Sequence, residues 1–301
     1  MSREAKARPA GTGTAGTGTP EAATETATEA EMPKHPSLSM AGKRGLIMGV
    51  ANDRSIAWGL ARSLHGRGAE LAFTYQGEAF GSRVRPLAES VGSELVLPCD
   101  VAREDEIAAV FDRLGQSWDG LDFVVHALAF SDKEELKGRY LDTSRANFAR
   151  TLEISCFSFT EIARRAAPLM SAGGGLLTLT YLGAERVTPN YNVMGVAKAA
   201  LETSVRYLAV DLGERGIRVN AISAGPMRTL AGAAIADARF VYRWSRDHAP
   251  LARNVLLEEV GNAGLYLLSD LARGVTGEIH HVDAGYNTIG IPSPRRMKRN
   301  E

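Results

Sequence analysis

Residues 45–64 read GLIMGVANDRSIAWGLARSL, and this stretch decides the expected fold. It opens with a short apolar run, passes through a turn at Gly49, and continues from Ile56 to Leu64 with the spacing of a helix. Ser55 stands where the N-cap residue of that helix is expected. A buried strand that leads through a tight turn into a helix is the repeating unit of a parallel α/β sheet.

The same alternation continues along the chain. Most of the apolar runs are apolar throughout, which is typical of strands that are buried on both faces of a sheet. Helical patterns, such as residues 102–118 and 196–216, lie between the runs. We therefore predict an α/β protein with a single-domain, doubly wound Rossmann fold, whose seven-stranded parallel sheet is flanked by helices. The predicted strands lie at residues 45–50, 70–75, 94–98, 121–127, 175–182, 217–223 and 278–283.

Composition divides the chain into three parts. Residues 1–40 are rich in Gly, Thr, Ala and Glu and have few large apolar side chains, so we predict a disordered N-terminal extension. This extension has no apolar segment of the secretory type, and its glutamates disfavour a transit peptide. We expect the Rossmann domain at residues 41–292 and a flexible basic tail at residues 293–301.

Charge and cysteine usage exclude several classes of function. Lys+Arg and Asp+Glu both number 35, so we expect no bulk binding to nucleic acid. No apolar run approaches the roughly 18 residues of a membrane helix, so no membrane span is expected. Cys99 and Cys156 lack metal or redox spacing and indicate a reducing, cytoplasmic location, and His280 and His281 point to opposite strand faces, so no metal site is expected.

Several candidate binding residues follow predicted strands, where ligands of such sheets bind. The helix N-terminus beyond Gly49 suits a pyrophosphate, although its glycine spacing is not GxGxxG and a plain strand–helix turn explains it equally well. Gln76 stands about where a residue would bind the adenosine ribose, and its uncharged side chain favours NADH while leaving NADPH less favoured. Asp100 is placed to reach the adenine, and the alternative is a cap of the helix at 102–115; both roles are compatible. His126 is interpreted as a hydrogen-bonded core histidine.

A tyrosine and a lysine after the fifth strand offer specific chemistry. If the segment from Tyr191 is helical, Tyr191, Met194 and Lys198 share one face. A tyrosine hydroxyl can stabilise an oxyanion, and a nearby ammonium can assist it and hold ribose hydroxyls. The spacing alone favours the alternative of an interfacial tyrosine and an exposed lysine on an amphipathic helix, which is a common arrangement.

The chain resembles the short-chain dehydrogenase/reductase superfamily, and within it the bacterial enoyl-acyl-carrier-protein reductases. The resemblance covers nearly all of residues 41–290. Ordinary members of the superfamily carry Tyr-x-x-x-Lys, which would place tyrosine at Met194. Here Tyr191 precedes Lys198 by seven, and Tyr181 lies ten residues earlier, as in the enoyl reductases. The segments that carry the resemblance are GVANDRSIAWG, LAFTYQ, CDV, YLGAERVTPNYNVMGVAKAALE, RVNAISAGPMRTLA, EEVGN and TGEIHHVDAGY.

The resemblance implies an activity: reduction by NADH of the trans-2 double bond of enoyl-acyl-carrier-protein thioesters, the last reductive step of the type II fatty-acid elongation cycle. It also implies acyl-carrier protein as partner and a homotetramer. The implied catalytic residues are Tyr181, Tyr191 and Lys198; the cofactor-binding residues are Gly49, Ser55, Ile56, Gln76, Asp100, Val101, Leu128, Lys198 and Thr229; and the substrate-binding residues are Ala129, Phe130, Tyr181, Tyr191 and Met194.

Two departures from the family pattern affect these expectations. Residues 127–130 read ALAF after the fourth-strand histidine, where many members have Ser-Ile-Gly-Phe, which reshapes the nicotinamide pocket. The segment at about 229–247, expected to cover the substrate, carries Arg239, Arg243 and Arg246 outside the usual pattern. The residues that contact the carrier protein are therefore left open, and the same segment is also compatible with a surface helix.

Two other functions remain as alternatives. A carbonyl reductase or hydroxyacyl dehydrogenase of the same superfamily requires a tyrosine four residues before the lysine, and Met194 disfavours it. A non-catalytic NAD-binding sensor on the same fold is the second alternative, because fold does not fix function. The presence of both Tyr191 and Lys198 disfavours the sensor.

Overall fold

Seven parallel strands form the centre of the computed structural model, which describes residues 37–233 and 236–292. Each strand lies close to one of the predicted apolar runs, which is expected when sustained apolar character marks burial on both faces. The strands are β1 (Arg44–Met48), β2 (Glu70–Tyr75), β3 (Leu95–Pro98), β4 (Phe123–His126), β5 (Gly174–Thr180), β6 (Ile217–Ala224) and β7 (Ile279–Val282).

Helices connect the strands and cover both faces of the sheet. They are α1 (Ile56–His65), α2 (Gly77–Ser90), α3 (Glu104–Ser117), α4 (Arg145–Leu152), α5 (Ser158–Ala166), α6 (Asn192–Gly213), α7 (Leu230–Ala233), α8 (Ala238–His248) and α9 (Leu257–Leu268). A π-helical turn, Glu153–Phe157, joins α4 to α5. The long helix α6 begins four residues before the predicted helical segment at 196–216 and ends at Gly213, a residue type that commonly ends helices.

The order of the strands in the sheet determines where a ligand site is expected. Along the sheet the order is β3-β2-β1-β4-β5-β6-β7, and all the neighbouring pairs are parallel. The chain therefore runs outward in one direction from β1 and then returns to add β4 on the other side. This reversal opens a crevice at the carboxyl ends of β1 and β4, where doubly wound folds bind their ligands. The predicted fold class is confirmed.

Two buried apolar layers, one on each side of the sheet, support this arrangement. Neighbouring strand residues point to opposite faces, so Ile47 joins Leu60 and Phe73 in one layer while Leu46 packs with Phe159 in the other. A smaller cluster that contains Tyr191, Val193 and Met194 lies apart from both layers. The third cluster marks the place where catalytic residues were predicted.

Parts of the predicted organisation lie outside the described residues. This holds for most of the 1–40 extension, for the whole 293–301 tail and for residues 234–235 of the covering segment, and the domain bounds stay predictions. Met40 is described and is 2% exposed, and its amide donates to the Arg67 carbonyl over 2.8 Å. Within the described ranges, none of the helices is both long and apolar enough to cross a bilayer.

Candidate functional site

The loops that follow β1 and β4 touch at the crevice. Gly49 has a φ of +100°, and a β-carbon on it would lie 2.1 Å from the Ala127 carbonyl oxygen. The Ala127 amide donates to the Met48 carbonyl over 3.0 Å. Only glycine combines this conformation with such a close approach, so Gly49 keeps the floor of the crevice free of side chains.

Ser55 organises the turn between β1 and α1. It occupies the N-cap position of α1, as predicted, but its side chain makes no capping hydrogen bond to the helix. Its Oγ accepts instead from the amides of Ala51 and Asn52, over 2.9 and 3.1 Å. Within the part of the chain that the structure describes, the Ile56 and Ala57 amides form no hydrogen bond. These amides at a helix N-terminus suit an anion.

Gln76 and Asp100 lie at the carboxyl ends of the neighbouring strands β2 and β3. Gln76 is exposed and holds the N-cap position of α2 without a side-chain cap. The Asp100 carboxylate accepts from the Ala102 amide over 3.0 Å, while its own amide donates to Glu106 over 2.7 Å. The expectation that Asp100 caps the following helix is wrong, because α3 begins only at Glu104, beyond the tight turn that this carboxylate closes. Val101, half-buried, follows in that turn.

His126 closes the end of β4 as a neutral core residue, in agreement with its interpretation from the sequence. It is fully buried, with Nδ1 3.0 Å from Thr178 Oγ1 and Nε2 2.9 Å from Ser158 Oγ. Burial, with a smaller contribution from the Lys198 charge, lowers the pKa of His126 to about 3. His126 therefore stays uncharged and anchors β4 to α5.

The π-helical turn holds the segment that follows β4. The Phe130 amide donates to Ser155 Oγ over 3.0 Å, and Ser155 Oγ donates to the Phe130 carbonyl over 3.0 Å. The Phe130 ring is 40% exposed, and the Arg150 guanidinium lies 4.6 Å from its centroid. Leu128 is half-buried and Ala129 is exposed. A π turn within a helix often marks a functional region, and here it fixes the wall of the crevice.

Tyr191 and Tyr181 form the candidate reactive centre. Tyr191 immediately precedes α6 and is 7% exposed, beside the buried Met194. The Tyr181 and Tyr191 rings meet edge-on with centroids 5.1 Å apart. Burial raises the pKa of Tyr191 well above its ordinary value and that of Tyr181 to about 12. Both hydroxyls are therefore protonated near neutral pH and act as hydrogen-bond donors.

Lys198 lies on the inner face of α6 and is 5% exposed. Its Nζ donates to the Leu179 carbonyl over 2.8 Å, at the end of β5. Burial lowers the pKa of Lys198 to about 8, against the opposing influence of Cys156 and Glu202. The alternative of an interfacial tyrosine and an exposed lysine is wrong for this helix, because both side chains are buried.

Three residues hold Tyr191 in place, and this role was not predicted for them from the sequence. A β-carbon on Gly183 would lie 2.3 Å from the Tyr191 ring, so the glycine makes room for it. Asn190 and Asn192, on either side of Tyr191, have φ values of +57° and +37°. Asn192 Nδ2 donates to the carbonyls of Leu136 and Gly138, over 3.0 and 3.3 Å. Asparagine tolerates the left-handed region better than most residues, and this was the only available signal.

Thr229 and the covering segment complete the site beyond β6. Thr229 is half-buried, and its Oγ1 accepts from the Gly232 amide over 2.9 Å. Helix α8 presents Phe240 and Trp244 as exposed apolar side chains. The Trp244 and His248 rings stack with centroids 4.0 Å apart. The described residues of this segment lie mostly in α7 and α8, in agreement with the interpretation of the segment as a surface helix.

The structure brings the predicted residues together in two groups. Gly49, Ser55 and Ile56 line the turn at the switch point, and Tyr191 and Met194 pack with the partly buried Tyr181 where β5 ends and α6 begins. Lys198 lies further along α6 and is bound to the end of β5 through the Leu179 carbonyl. No group of three or more His, Cys, Asp or Glu side chains able to hold a metal occurs in residues 37–233 and 236–292. The arrangement is suited to binding an anionic cofactor beside a hydrogen-bond donor.

Comparisons with known proteins agree on one family. Residues 49–287 match the family described as enoyl-(acyl carrier protein) reductase. The chain is 67% identical over 259 residues to enoyl-(acyl-carrier-protein) reductase (NADH) 2 of Rhizobium meliloti, which covers 86% of this chain and 97% of that protein.

Solved structures agree with this match. The crystal structure of FabI from Candidatus Liberibacter asiaticus superposes with a TM-score of 0.83 at 59% identity, covering 84% of this chain and 98% of that one. The enoyl-(acyl-carrier-protein) reductase of Anaplasma phagocytophilum, solved in complex with NAD, gives a TM-score of 0.82 at 58% identity, covering 86% and 98%.

Proposed function

The chain belongs to the enoyl-(acyl carrier protein) reductase family and is an NADH-dependent oxidoreductase, and we propose that Tyr191 and Lys198 carry out its reaction. The substrate is a trans-2-enoyl thioester on acyl-carrier protein, and the product is the saturated acyl thioester. The observation that carries the assignment of these residues is the burial of Tyr191 against Tyr181, together with the buried Lys198 ammonium on α6, the helix that Tyr191 precedes.

The residues at the switch point fit a dinucleotide. The missing side chain at Gly49 and the free Ile56 and Ala57 amides beyond Ser55 provide room and donors for the pyrophosphate. When bound, NADH supplies the hydride that reduces the β-carbon of the substrate. The other residues assigned to the cofactor are Gln76, Asp100, Val101, Leu128, Lys198 and Thr229.

Tyr191 stabilises the charge that develops on the substrate. As the β-carbon is reduced, negative charge collects on the thioester oxygen as an enolate. The buried Tyr191 hydroxyl donates a hydrogen bond to this oxygen, and in a site without bulk water that bond is strong. Tyr181 and Met194 line the acyl pocket with Ala129 and Phe130. Protonation of the α-carbon completes the reaction.

Lys198 contributes charge and orientation. Its ammonium has three donors, of which the Leu179 carbonyl takes one, and the others are available to the ribose hydroxyls of the cofactor. The positive charge also favours the developing enolate. Lys198 therefore links cofactor binding to charge stabilisation.

The alternative functions lack comparable support. In a carbonyl reductase the position of Met194 holds the tyrosine that donates the proton, and a thioether has no proton to donate. A non-catalytic sensor has no need for both a buried tyrosine and a buried lysine at this end of the sheet.

The assembly and location of the protein extend this proposal. We propose a homotetramer, because α6 and the π turn expose Phe157, Tyr207 and Val210, which are 56%, 71% and 78% accessible. A cytoplasmic location follows from a substrate that is carried by acyl-carrier protein. Light scattering of the purified full chain measures the mass of the assembly, and a monomeric mass contradicts the tetramer.

The reaction is tested by the loss of absorbance at 340 nm with crotonyl or 2-octenoyl thioester, with NADH and NADPH side by side. We expect oxidation that requires the enoyl substrate and is faster with NADH. Tyr191→Phe is expected to lower turnover about 100-fold, because it removes one hydrogen-bond donor to the developing oxyanion. NADH is still expected to bind to this variant. Lys198→Ala is expected to lower turnover and to weaken NADH binding. Unchanged turnover and NADH affinity in both variants would overturn the assignment of residues.

A further inference from the structure

The buried carboxyl group of Glu202 has no part in the mechanism described so far. Glu202 lies on α6, four residues after Lys198, so both side chains belong to one face of the helix. It is 5% exposed, the same fraction as Lys198. Ionisable side chains are almost never buried to this degree unless they are paired. The burial of Glu202 therefore requires partners.

Thr180 provides the first partner. Its Oγ1 donates to Glu202 Oε1 over 2.7 Å, in the interior of the protein. Thr180 ends β5, between Leu179, whose carbonyl accepts from Lys198, and Tyr181. Two consecutive residues at the end of β5 thus form hydrogen bonds with Lys198 and Glu202. A hydroxyl that donates to a carboxylate favours its charged form.

Charged groups around Glu202 continue to the protein surface. His281 Nε2 lies 2.9 Å from Glu185 Oε1, and both are partly exposed. Burial raises the pKa of Glu202, and Glu185 adds to this, while the Thr180 hydroxyl, Arg206 and His281 oppose it. The titratable and charged groups that act on Lys198 or Glu202 are Cys156 on the π turn, His126 on β4, Glu185 after β5, Tyr191 and Arg206 on or beside α6, and His281 on β7.

Lys198 needs a countercharge. A buried ammonium with a carbonyl as its hydrogen-bond partner bears a large desolvation cost, and a carbonyl supplies no full charge to offset it. A carboxylate does, whereas a thiol such as Cys156 contributes only when it is deprotonated. Because burial brings the pKa of Lys198 down to about 8, its charge near neutral pH depends on its surroundings.

We propose that Glu202 is a positioning residue, the countercharge that keeps Lys198 protonated and thereby competent to bind the cofactor ribose. The inference rests on the proposed role of Lys198 in binding NADH. It assigns to Glu202 no contact with the substrate or cofactor. The Thr180 hydroxyl acts in the same direction, because its hydrogen bond favours the ionised form of Glu202 against the effect of burial.

The test compares NADH affinity across pH in Glu202→Gln and the wild-type protein. Glutamine keeps the size of the side chain and an acceptor for Thr180 but removes the charge. Affinity that depends on the Lys198 ammonium is lost as pH rises through the folded-state pKa of about 8. Without the countercharge, we expect this loss to begin about one pH unit lower, the lower end of the effect of one neighbouring charge.

Calorimetric titration of NADH into the full-length protein between pH 6 and 9.5 gives the measurement. Glu185→Gln is the matched control, because it makes the same substitution at the exposed end of the same group of charges. In Glu185→Gln, the loss of NADH affinity at alkaline pH is expected not to move to lower pH, since removal of Glu185 favours ionisation of Glu202. Glu202→Asp keeps the charge, so its pH profile of NADH affinity is expected to stay close to that of the wild type.

Two outcomes overturn the proposal. One is a Glu202→Gln profile that shifts no further than the Glu185→Gln profile. The other is a loss of affinity that is equal at all pH values, which indicates a structural role only. If Glu202→Gln is too unstable to purify, Glu202→Leu removes the charge with an apolar side chain that needs no partner. The binding profile is measured without enoyl substrate, so a lack of turnover, which would defeat the proposed function, is a distinct result.

Discussion

The side chain of Asn190 donates from Nδ2 to the Asp237 carboxylate over 2.9 Å, and so joins the residue before Tyr191 to the start of α8. A weaker contact from the same atom reaches the Ala236 carbonyl over 3.4 Å. The residue next to Tyr191, the proposed reactive tyrosine, is therefore bound to the segment that is proposed to cover the substrate. Both Asn190 and Asp237 have left-handed backbone conformations, with φ of +57° and +58°.

Breaking this contact is expected to weaken substrate binding. Asn190→Gly and Asp237→Gly each remove the hydrogen bond and keep a residue that adopts positive φ without strain. A partly exposed hydrogen bond to a charged group contributes about 1 kcal/mol, so each variant is expected to raise the KM for the enoyl thioester about fivefold. The KM of the double variant should be no higher than that of either single variant, because each single substitution already removes the same contact. Additive effects in steady-state kinetics would contradict the coupling.

Gly49 is expected to be essential for cofactor binding. In Gly49→Ala, the β-carbon would collide with the Ala127 carbonyl, and the loops after β1 and β4 must separate. We expect NADH affinity to fall more than tenfold, measured by calorimetry, together with a lower melting temperature. Gly42→Ala is the matched control, because Gly42 has a φ of +76° but nothing lies within 4 Å of its β-carbon position. The free energy of unfolding of Gly42→Ala should fall by only roughly 1 kcal/mol, because of backbone strain, and its NADH affinity should not change. Equal losses of affinity in both variants would contradict the role of the close approach.

The choice between NADH and NADPH is expected to depend on Gln76. Gln76 is exposed at the end of β2, so a charged side chain is accommodated there without burial. Gln76→Asp is expected to lower kcat/KM with NADPH about tenfold by repelling the 2′-phosphate, and Gln76→Arg is expected to raise it. The ratio of the two cofactors' kcat/KM values gives the measurement. Gln116→Arg, on the exposed face of α3, adds the same charge elsewhere and should leave the ratio unchanged.

The buried imidazole of His126 is expected to make the fold sensitive to acid. Its pKa is about 3 in the folded protein and near 6.5 when unfolded, so its contribution to stability is complete above pH 6.5 and is lost as pH falls toward 3. The loss is about 1.4 kcal/mol per pH unit within this window. Urea unfolding at pH 7.5 and 4.5 should therefore show a smaller pH dependence in His126→Gln than in the wild type.

Ser158→Ala serves as the control for His126. It removes one partner of the imidazole, at 2.9 Å from Nε2, but keeps the titrating group. Its stability should be lower at both pH values, with a pH dependence close to that of the wild type. A His126→Gln protein that loses as much stability on acidification as the wild type would show that other groups are responsible.

The sheet was predictable because its strands carry their own signal. The run at 45–50, for example, is buried on both faces of β1, and sustained apolar character is the direct mark of such burial. The reversal of strand order was predictable from the alternation of strands and helices, since right-handed crossovers allow few other arrangements. Tyr191 and Lys198 were singled out as a pair through the family resemblance, because their spacing alone favoured an interfacial tyrosine and an exposed lysine.

The supports of the site were not predictable in the same way. Ser155 and Ser158 become meaningful only when the π turn places them against Phe130 and His126, residues far away in the chain. A helix cap was the alternative to adenine binding for Asp100, but the helix begins later and the carboxylate accepts a hydrogen bond within the local turn instead. Glu202 looked like an ordinary polar residue of an amphipathic helix. Such contacts depend on tertiary packing, which periodicity does not report.

The π turn between α4 and α5 also determines how this region tolerates changes of length. Each residue of an α-helix turns the chain by about 100°, and a wide turn takes up one extra residue while the helices on either side keep the faces that they bury. Ser158 and Phe159, which directly follow the turn, are buried. A change of length at residues 153–157 that the turn does not take up is expected to rotate these two side chains out of the interior, even where the inserted or deleted residue is itself exposed.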